Sequence, residues 1–183
     1  MSDECRYAVT ETLRNGLAIT IRAVRPDDRD RMVAAFNELE PESVYTRFFT
    51  YKDELSDAEL KQFTEVDFDR RVVLLVTIGC GEDETVIGGG SYTACTRSAD
   101  GRIAEVGFIV EEDYHGLGIA GRLLHHLAVI AIERGIDQFE AEVLPENRAM
   151  LSVFARSGFP MTEKRVEGTI RVAMDLRGKA RAD

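Results

Sequence analysis

The sequence contains no tryptophan, only three cysteines and three histidines, and four prolines in 183 residues. Cys5, Cys80 and Cys95 form no C-x-x-C pair. An odd count without short spacings argues against a disulfide framework and against a zinc knuckle, so no metal is expected. Free thiols in a reducing compartment are the expectation. No stretch reaches the ~18 consecutive apolar residues of a membrane span, so no membrane partner is expected. The opening run MSDECRYAVTETLRNG is polar and has no apolar h-region. No signal peptide is therefore expected, and cytoplasmic residence is the default. Basic residues are the minority, 23 against 33 acidic, for a net charge of −10. Proteins that grip a phosphate backbone usually carry a basic patch, so nucleic acid is not an expected partner. A cationic partner or an amine substrate is compatible with that balance. Repeats, low-complexity tracts and Gly/Ser/Pro linkers are absent, and only the tail RGKARAD reads as a loose end. The length fits one domain over 1–183, with a core about 17–176.

The apolar residues are arranged in clear periods. Leu17 to Val24 alternates apolar and polar residues and reads as a strand. Pro26, Asp27 and Asp28 open a helix with Met32, Val33, Phe36 and Leu39 on one face. A short helical stretch covers Ser43 to Phe49. Ser56 and Glu59 form a capping box ahead of Leu60, Phe63 and Val66. Val72 to Ile78 is a buried strand, and Gly79-Cys-Gly81 turns into a second strand over Val86 to Thr96, softened by Gly88, Gly89 and Gly90. Ala99-Asp-Gly101 is a turn, and Ile103 to Val110 a further strand. Gly116 to Arg134 is a long helix stopped by Gly135. Phe139 to Leu144 is a strand, Asn147 to Ser157 a helix closed by Gly158, and Thr169 to Leu176 the last strand. The expected order is β-α-α-β-β-β-α-β-α-β, with a weak extra strand near Met161 to Val166. Helices alternate with strands only in the second half, which predicts an α/β chain built on a mixed sheet covered by helices.

The chemistry concentrates in Ala104 to Leu124, where a strand enters a polar loop and a glycine turn opens the long helix. The first N–H groups of such a helix lack internal partners and, with the helix dipole, form an anion site. Gly116 and Gly118 keep side chains away so that a phosphate can reach the backbone. Gly116-x-Gly118-x-x-Gly121 matches the dinucleotide fingerprint, with Glu140 at a plausible spacing for a ribose contact. That fingerprint needs its first glycine immediately after the strand, whereas Glu111 to His115 intervene here. A third reading is a glycine turn that only caps the helix.

The stretch His115-Gly-Leu-Gly118-Ile-Ala120 resembles the pyrophosphate loop of the GNAT acyltransferases, Gln/Arg-x-x-Gly-x-Gly/Ala, with His at the Gln/Arg position. Ile21-Arg-x-Val-Arg-Pro-x-Asp28, Glu105-Val-Gly-Phe-Ile-Val110, Val143-Leu-x-x-Asn147-x-x-Met150 and Ser157-Gly-Phe159 extend the resemblance over roughly 17–176. The run Ser43-Val-Tyr-Thr-Arg-Phe-Phe49, with Thr64-x-Val-Asp67, is similar to the bacterial Pat-type protein-lysine acetyltransferases. The resemblance implies a GNAT fold: a central, mostly antiparallel, twisted sheet with splayed fourth and fifth strands and helices on both faces. It implies acetyl-CoA as co-substrate. Backbone groups of Phe108, Ile109 and Val110 would hold the pantetheine amides, one N–H facing the thioester oxygen as an oxyanion hole. His115, Gly116, Leu117, Gly118, Ile119, Ala120 and Gly121 would cradle the pyrophosphate. Asn147 would bond the pantetheine arm; its other role is the helix N-cap, and the two are compatible.

Acetyl transfer to an amine needs one more group. A lysine-type amine has a pKa of ~10.4, so about one in a few thousand is neutral at pH 7. A carboxylate that takes the proton, directly or through water, is the simplest remedy. Glu105 sits where several members of the family carry such an acid; the alternative is a strand residue facing water or paired with an arginine. Glu111, Glu112 and Asp113 read as plain loop charges. Phe154 stands where many members place a Tyr as acid for the departing thiolate, and Phe cannot donate. Adjacent His125 and His126 diverge by ~100° on a helix and cannot share a metal. Cys95 has no identifiable base partner for a nucleophilic role. The leading expectation is an acetyl-CoA-dependent N-acetyltransferase with direct attack by a protein lysine. A small-molecule amine acceptor and a non-catalytic acetyl-CoA-binding sensor are the alternatives. A homodimer is left open.

Overall fold

The computed structural model describes residues 7–95 and 101–181. Cys5, Thr96 and most of the expected Ala99–Gly101 turn lie outside them. Along the chain run β1 (Ala8–Thr12), β2 (Ala18–Ala23), a 3-10 turn at Pro26–Asp28, α1 (Arg29–Asn37), α2 (Pro41–Phe48) and α3 (Asp57–Thr64). There follow β3 (Arg71–Ile78), β4 (Thr85–Ala94), β5 (Ile103–Val110), α4 (Ile119–Glu133), β6 (Gln138–Val143), α5 (Arg148–Ala155), β7 (Met161–Val166) and β8 (Thr169–Asp175). The strands form one eight-stranded sheet in the order β1-β2-β3-β4-β5-β6-β8-β7. Every pair is antiparallel except β5–β6, which is parallel.

Four features depart from the sequence-based expectations. β1 was not expected; its five residues are polar or small and acquire strand structure by pairing with β2. Three helices precede β3, one for each helical stretch read from the sequence and one more than the expected order counted. The long helix starts at Ile119, because Gly116 and Gly118 are left-handed at φ 76° and 83° and cannot belong to it. The tail forms a 3-10 helix over Leu176–Arg181, anchored by the buried Leu176. Gly178 lies so close to the Pro160 ring that a Cβ there would sit 2.6 Å from it.

The pleat sorts side chains onto two faces. Leu74, Val76, Tyr92, Val106 and Phe108 enter the main core with Leu123, Leu127 and Phe154 of α4 and α5. Val73, Leu75 and Val86 form a smaller core on the other face, against Met32, Ala35 and Phe63 of α1 and α3. The apolar face of α1 is narrower than its period suggests: Phe36 is buried, but Val33 is 36% exposed.

A buried ion pair fixes the entry to α1. Arg22 on β2 donates from both terminal nitrogens to Asp28, at 2.7 Å each, and from Nε to Glu84 at 2.7 Å. Asp28 also accepts the Arg25 backbone N–H at 2.7 Å. The arginine and aspartate are 2% and 0% exposed. Although burial opposes it, hydrogen bonding to Arg22 and the Arg25 backbone holds the Asp28 carboxyl below its ordinary value. This bidentate pair ties the end of β2 to the turn that opens α1.

Candidate active site

β5 and β6 are the strands counted fourth and fifth in the resemblance, since β1 adds one ahead of them. They pair at only three positions: Ile103 with Gln138, Ala104 with Phe139 and Glu105 with Glu140. Beyond Glu105, β5 runs on to Val110 while β6 stays with β8 out to Val143. A wedge-shaped gap opens between the two strands, with Glu105 at its apex.

The register decides which backbone groups face that gap. Cys95 N–H donates to Ile103 O, and Glu111 N–H donates to Ile87 O. Odd-numbered residues of this stretch therefore bond toward β4, and the alternation turns the N–H and C=O of Val106, Phe108 and Val110 toward the gap. Phe108 and Val110 are thus placed to meet an extended amide-bearing ligand lying in the gap. Ile109, grouped with them from the sequence, spends its backbone groups on the β4 ladder opposite Gly89 and lends its side chain to the other face.

At the open end of the gap, Glu112–Tyr114 make a 3-10 turn and His115 to Gly118 lead into α4. Gly116 and Gly118 need the left-handed conformation; a Cβ on Gly116, Gly118 or Gly121 would meet nothing within 4 Å. The bare backbone faces open space. Gly118 is the N-cap of α4 and offers no side-chain cap bond, and the first turn carries no acid. By contrast, α3 begins with Asp57 and Glu59 behind a Ser56–Glu59 capping box. The N–H groups of Ile119, Ala120 and Gly121 are left for an outside acceptor, as the dipole favours. Leu117 packs against the main core and Ile119 is buried, so these two contribute backbone, not side chain, to the turn.

The His115 side chain folds back across the gap. Its Nε2 lies 2.7 Å from Val110 O. A carbonyl can only accept, so Nε2–H donates. The imidazole therefore covers one of the acceptors that faces the gap.

On the far side, Asn147 caps α5: its Oδ1 accepts the Met150 N–H at 3.1 Å. That leaves its side-chain amide N–H groups for another partner. Phe154 is 1% exposed and packs against Phe108 with ring centroids 6.1 Å apart.

Glu105 is exposed and makes no hydrogen bond or ion pair among the described residues. Its side chain shares a face of β5 with Gly107 and Ile109. Farther along that face, Gly107 and Ile109 join Gly89 and Ser91 in flooring a largely apolar, open pocket roofed by α1, α2 and α3. Arg47 of α2 lies across Gly107, where a Cβ would meet its guanidinium at 3.0 Å. Burial, joined by the charge of Arg71, pushes the Arg47 pKa down, while Glu105 pulls it up. Glu111 also lines this pocket, and burial together with Asp113, Glu112 and Glu38 raises its carboxyl above the ordinary value. It is not a plain loop charge. Neither is Glu112, whose carboxylate accepts the Glu40 N–H at 3.2 Å and ties this loop to the start of α2. Sequence reading missed the pocket roles of Glu111 and Arg47, which no local period signals.

Other residues have structural work. Asp67 Oδ1 accepts the N–H groups of Asp69, Arg70 and Arg71 at 2.9–3.0 Å, which shapes the turn into β3. His126 is buried on α4 between Tyr7 and Glu11, with its Nε2 2.6 Å from Glu11 Oε1. Glu11 also pairs with Arg122, so β1 is clasped to α4 by a chain of four side chains. His125 points to solvent. Cys95 and Cys80 are exposed thiols. Among the described residues no helix is long and apolar enough to cross a membrane.

Glu140 lies beside Glu105 on a sheet that is antiparallel on both sides of the β5–β6 pair. The glycine turn therefore does not open the first unit of a parallel dinucleotide-binding sheet. Comparison with known proteins points the same way. An acetyltransferase of Pseudomonas aeruginosa is 28% identical over 149 residues, covering 81% of this chain and 78% of its own. The acetyltransferase Pat of Mycolicibacterium smegmatis is 32% identical over 146 residues; the match covers 80% of this chain but 42% of that longer protein. Among solved structures, the GNAT domain of S. lividans PAT superposes with a TM-score of 0.83 at 35% identity, covering 92% of this chain and 96% of the other. The yncA protein of Salmonella typhimurium, solved with acetyl-CoA, shares the fold at a TM-score of 0.66 and 19% identity, covering 86% of this chain and 94% of its own. Residues 32–159 match the model of the Acetyltransferase (GNAT) family, and with that match across most of its length the chain belongs to the GNAT acetyltransferases.

Proposed function

We propose that this domain binds acetyl-CoA in the β5–β6 gap and passes the acetyl group directly to a protein lysine, with Glu105 as the base. The observation that carries the reading is the position of Glu105. It is the last β5 residue paired with β6, its exposed carboxylate makes no hydrogen bond or ion pair among the described residues, and it lies on the β5 face whose Gly107 and Ile109 line the pocket. From Val110 back to Glu105 the strand covers about 17 Å, a span suited to an extended pantetheine arm. The pyrophosphate would rest on the N–H groups of Gly118 to Gly121, and the Phe108 and Val110 backbones would bond the pantetheine amides. Asn147 would add its side-chain amide while still capping α5. An N–H facing the gap would stabilise the oxyanion of the tetrahedral intermediate.

The amine must arrive neutral or lose its proton on arrival. Glu105, directly or through a water, takes that proton as the nitrogen attacks the thioester carbon. The C–S bond then breaks, and the thiolate leaves. Phe154 offers no hydroxyl there, so water protonates the sulfur, which the low pKa of a thiol permits. A lysine acceptor is supported by the Pat-like run on α2, by the likeness to the S. lividans domain and by a net charge of −10, which raises the encounter rate of cations. Labelled acetyl-CoA incubated with the protein and cell lysate tests the acceptor. Label at defined lysines is the expected result; label confined to small molecules would select the small-amine reading. A bound but unconsumed acetyl-CoA would select the sensor.

A further inference from the structure

We propose that the acceptor site recognises a carboxylate as well as an amine, and that Arg47 is the residue that takes it. This rests on the acetyl-transfer reading and adds to it the chemistry of the acceptor.

Among the described residues Arg47 has no direct ion pair; the charge of Glu105 acts on it only from beyond ion-pair distance. Its side chain is half-buried in a mostly apolar pocket that Ser91 and the Glu111 carboxylate also line. No described carboxylate lies within ion-pair distance of it, and no hydrogen bond holds it. Its contacts are the Gly107 backbone beneath it and the Phe48 ring, 5.4 Å from the guanidinium carbon. Other arginines near the sheet are matched: Arg22 holds Asp28 and Glu84, and Arg122 holds Glu11. A half-buried guanidinium with five idle donors is costly unless a ligand completes it. Arg71, which enters the sheet in the row Arg71–Thr93–Glu105, is likewise without an ion pair, and its Nε is buried without a hydrogen-bond partner. It lies over the Phe63 ring and, as a second cation, adds to the positive charge at Arg47.

The spacing matches a ligand with two charges. Glu105 and Gly107 are alternate residues on one face of β5, and Arg47 covers Gly107. A Cα two residues along a strand is about 6.6 Å away. An ammonium at Glu105 would therefore leave a carboxylate a few atoms away within reach of Arg47. Gly107 makes this possible: any side chain there would displace the guanidinium. The carboxylate could come from an acidic residue flanking the lysine in a protein, or from the α-carboxylate of a free amino acid.

The test compares acceptors that differ only in this charge. The pairs are the peptides acetyl-Gly-Glu-Lys-Gly-amide and acetyl-Gly-Gln-Lys-Gly-amide, and Nα-acetyl-lysine and its amide. CoA release with acetyl-CoA gives kcat/KM for each, and binding to the CoA-loaded protein is measured by calorimetry. The wild type should prefer the acid member of at least one pair by about tenfold or more, as expected of a charge-assisted bidentate bond. The peptide pair reports a protein source and the lysine pair a free amino acid. Arg47→Gln should bring that ratio to about one while acetyl-CoA affinity and thermal midpoint stay put. Arg47→Lys should restore part of it, because it keeps the charge and loses the fork. Equal use and binding of acid and neutral acceptors by the wild type would overturn the proposal while leaving acetyl transfer standing. So would a preference that survives in Arg47→Gln, or an Arg47 effect confined to the acyl donor, seen as loss of succinyl-CoA use. Absence of turnover with every acceptor would count against the acetyl-transfer reading, and the calorimetric ratio would still decide the role of Arg47.

Discussion

Gly118 offers a clean perturbation of the anion-binding turn. It sits at φ 83° as the N-cap of α4, is exposed, and has nothing within 4 Å of where a Cβ would be. Replacing it creates no clash, so the stability cost is the left-handed backbone alone, about 1–2 kcal/mol. In Gly118→Glu the new carboxylate favours the helix N-terminus by about 0.3–1 kcal/mol, which offsets part of that cost. The effect on a bound pyrophosphate is larger. A unit charge about 6 Å from another interacts by roughly 0.7 kcal/mol at the dielectric of water and roughly 3 kcal/mol near a protein surface. Acetyl-CoA affinity should therefore fall by about 3- to 100-fold in Gly118→Glu. Gly118→Ala, which carries the strain without the charge, should lose much less. Calorimetric titration of acetyl-CoA into all three proteins reads this directly. The gap between the Glu and Ala variants should narrow as salt rises from 0.05 to about 0.5 M and the Debye length shortens. Unchanged affinity in a folded Gly118→Glu protein would refute the placement of the pyrophosphate, and equal losses in the two variants would refute the electrostatic reasoning.

Asp28→Ala should destabilise the fold by about 3–5 kcal/mol, since it strands the buried Arg22; chemical denaturation measures it. The same pair sets the acid limit. The Asp28, Glu84 and Glu11 carboxyls are all held below their ordinary values in the fold. Their contribution is complete above the unfolded carboxylate pKa of about 4 and is lost as pH falls below it, so thermal midpoints should drop steeply under about pH 4 in wild type. In Asp28→Asn that acid-dependent drop should be smaller. Asn147→Ala should lower stability by about 1 kcal/mol through loss of the α5 cap. If the side-chain amide also holds pantetheine, acetyl-CoA affinity falls in the same variant by more than the stability change explains, which titration below the melting range resolves.

The local part of this fold was legible. β5 occupies the predicted residues, because the mostly apolar run Ile103 to Val110 is bounded by a turn before it and a polar loop after it. The glycine turn was legible because two glycines in a helix-opening loop have a backbone reason, and the Ser56 capping box formed as read. What escaped depends on distant partners. β1 is a strand only beside β2, and the Tyr7–His126–Glu11–Arg122 chain joins residues more than a hundred positions apart. Arg47 and Glu111 belong to one pocket because α2 folds over β5, a contact no sequence period encodes. Val33 had the right spacing for the core yet faces solvent, since α1 meets the sheet through a narrow stripe. The tail looked loose by composition and is held by Leu176, one apolar residue just ahead of it.

The role of Glu105 is tested most directly by the pH dependence of acetyl transfer in Glu105→Gln. The substitution keeps the shape and removes the base, on an exposed side chain that makes no hydrogen bond or ion pair among the described residues. At pH 7 kcat/KM for a lysine acceptor should fall ~10²-fold or more, while acetyl-CoA affinity holds. The deficit should shrink steadily as pH approaches ~10, where the free amine no longer needs a base. A variant as active as wild type at pH 7 would contradict the account.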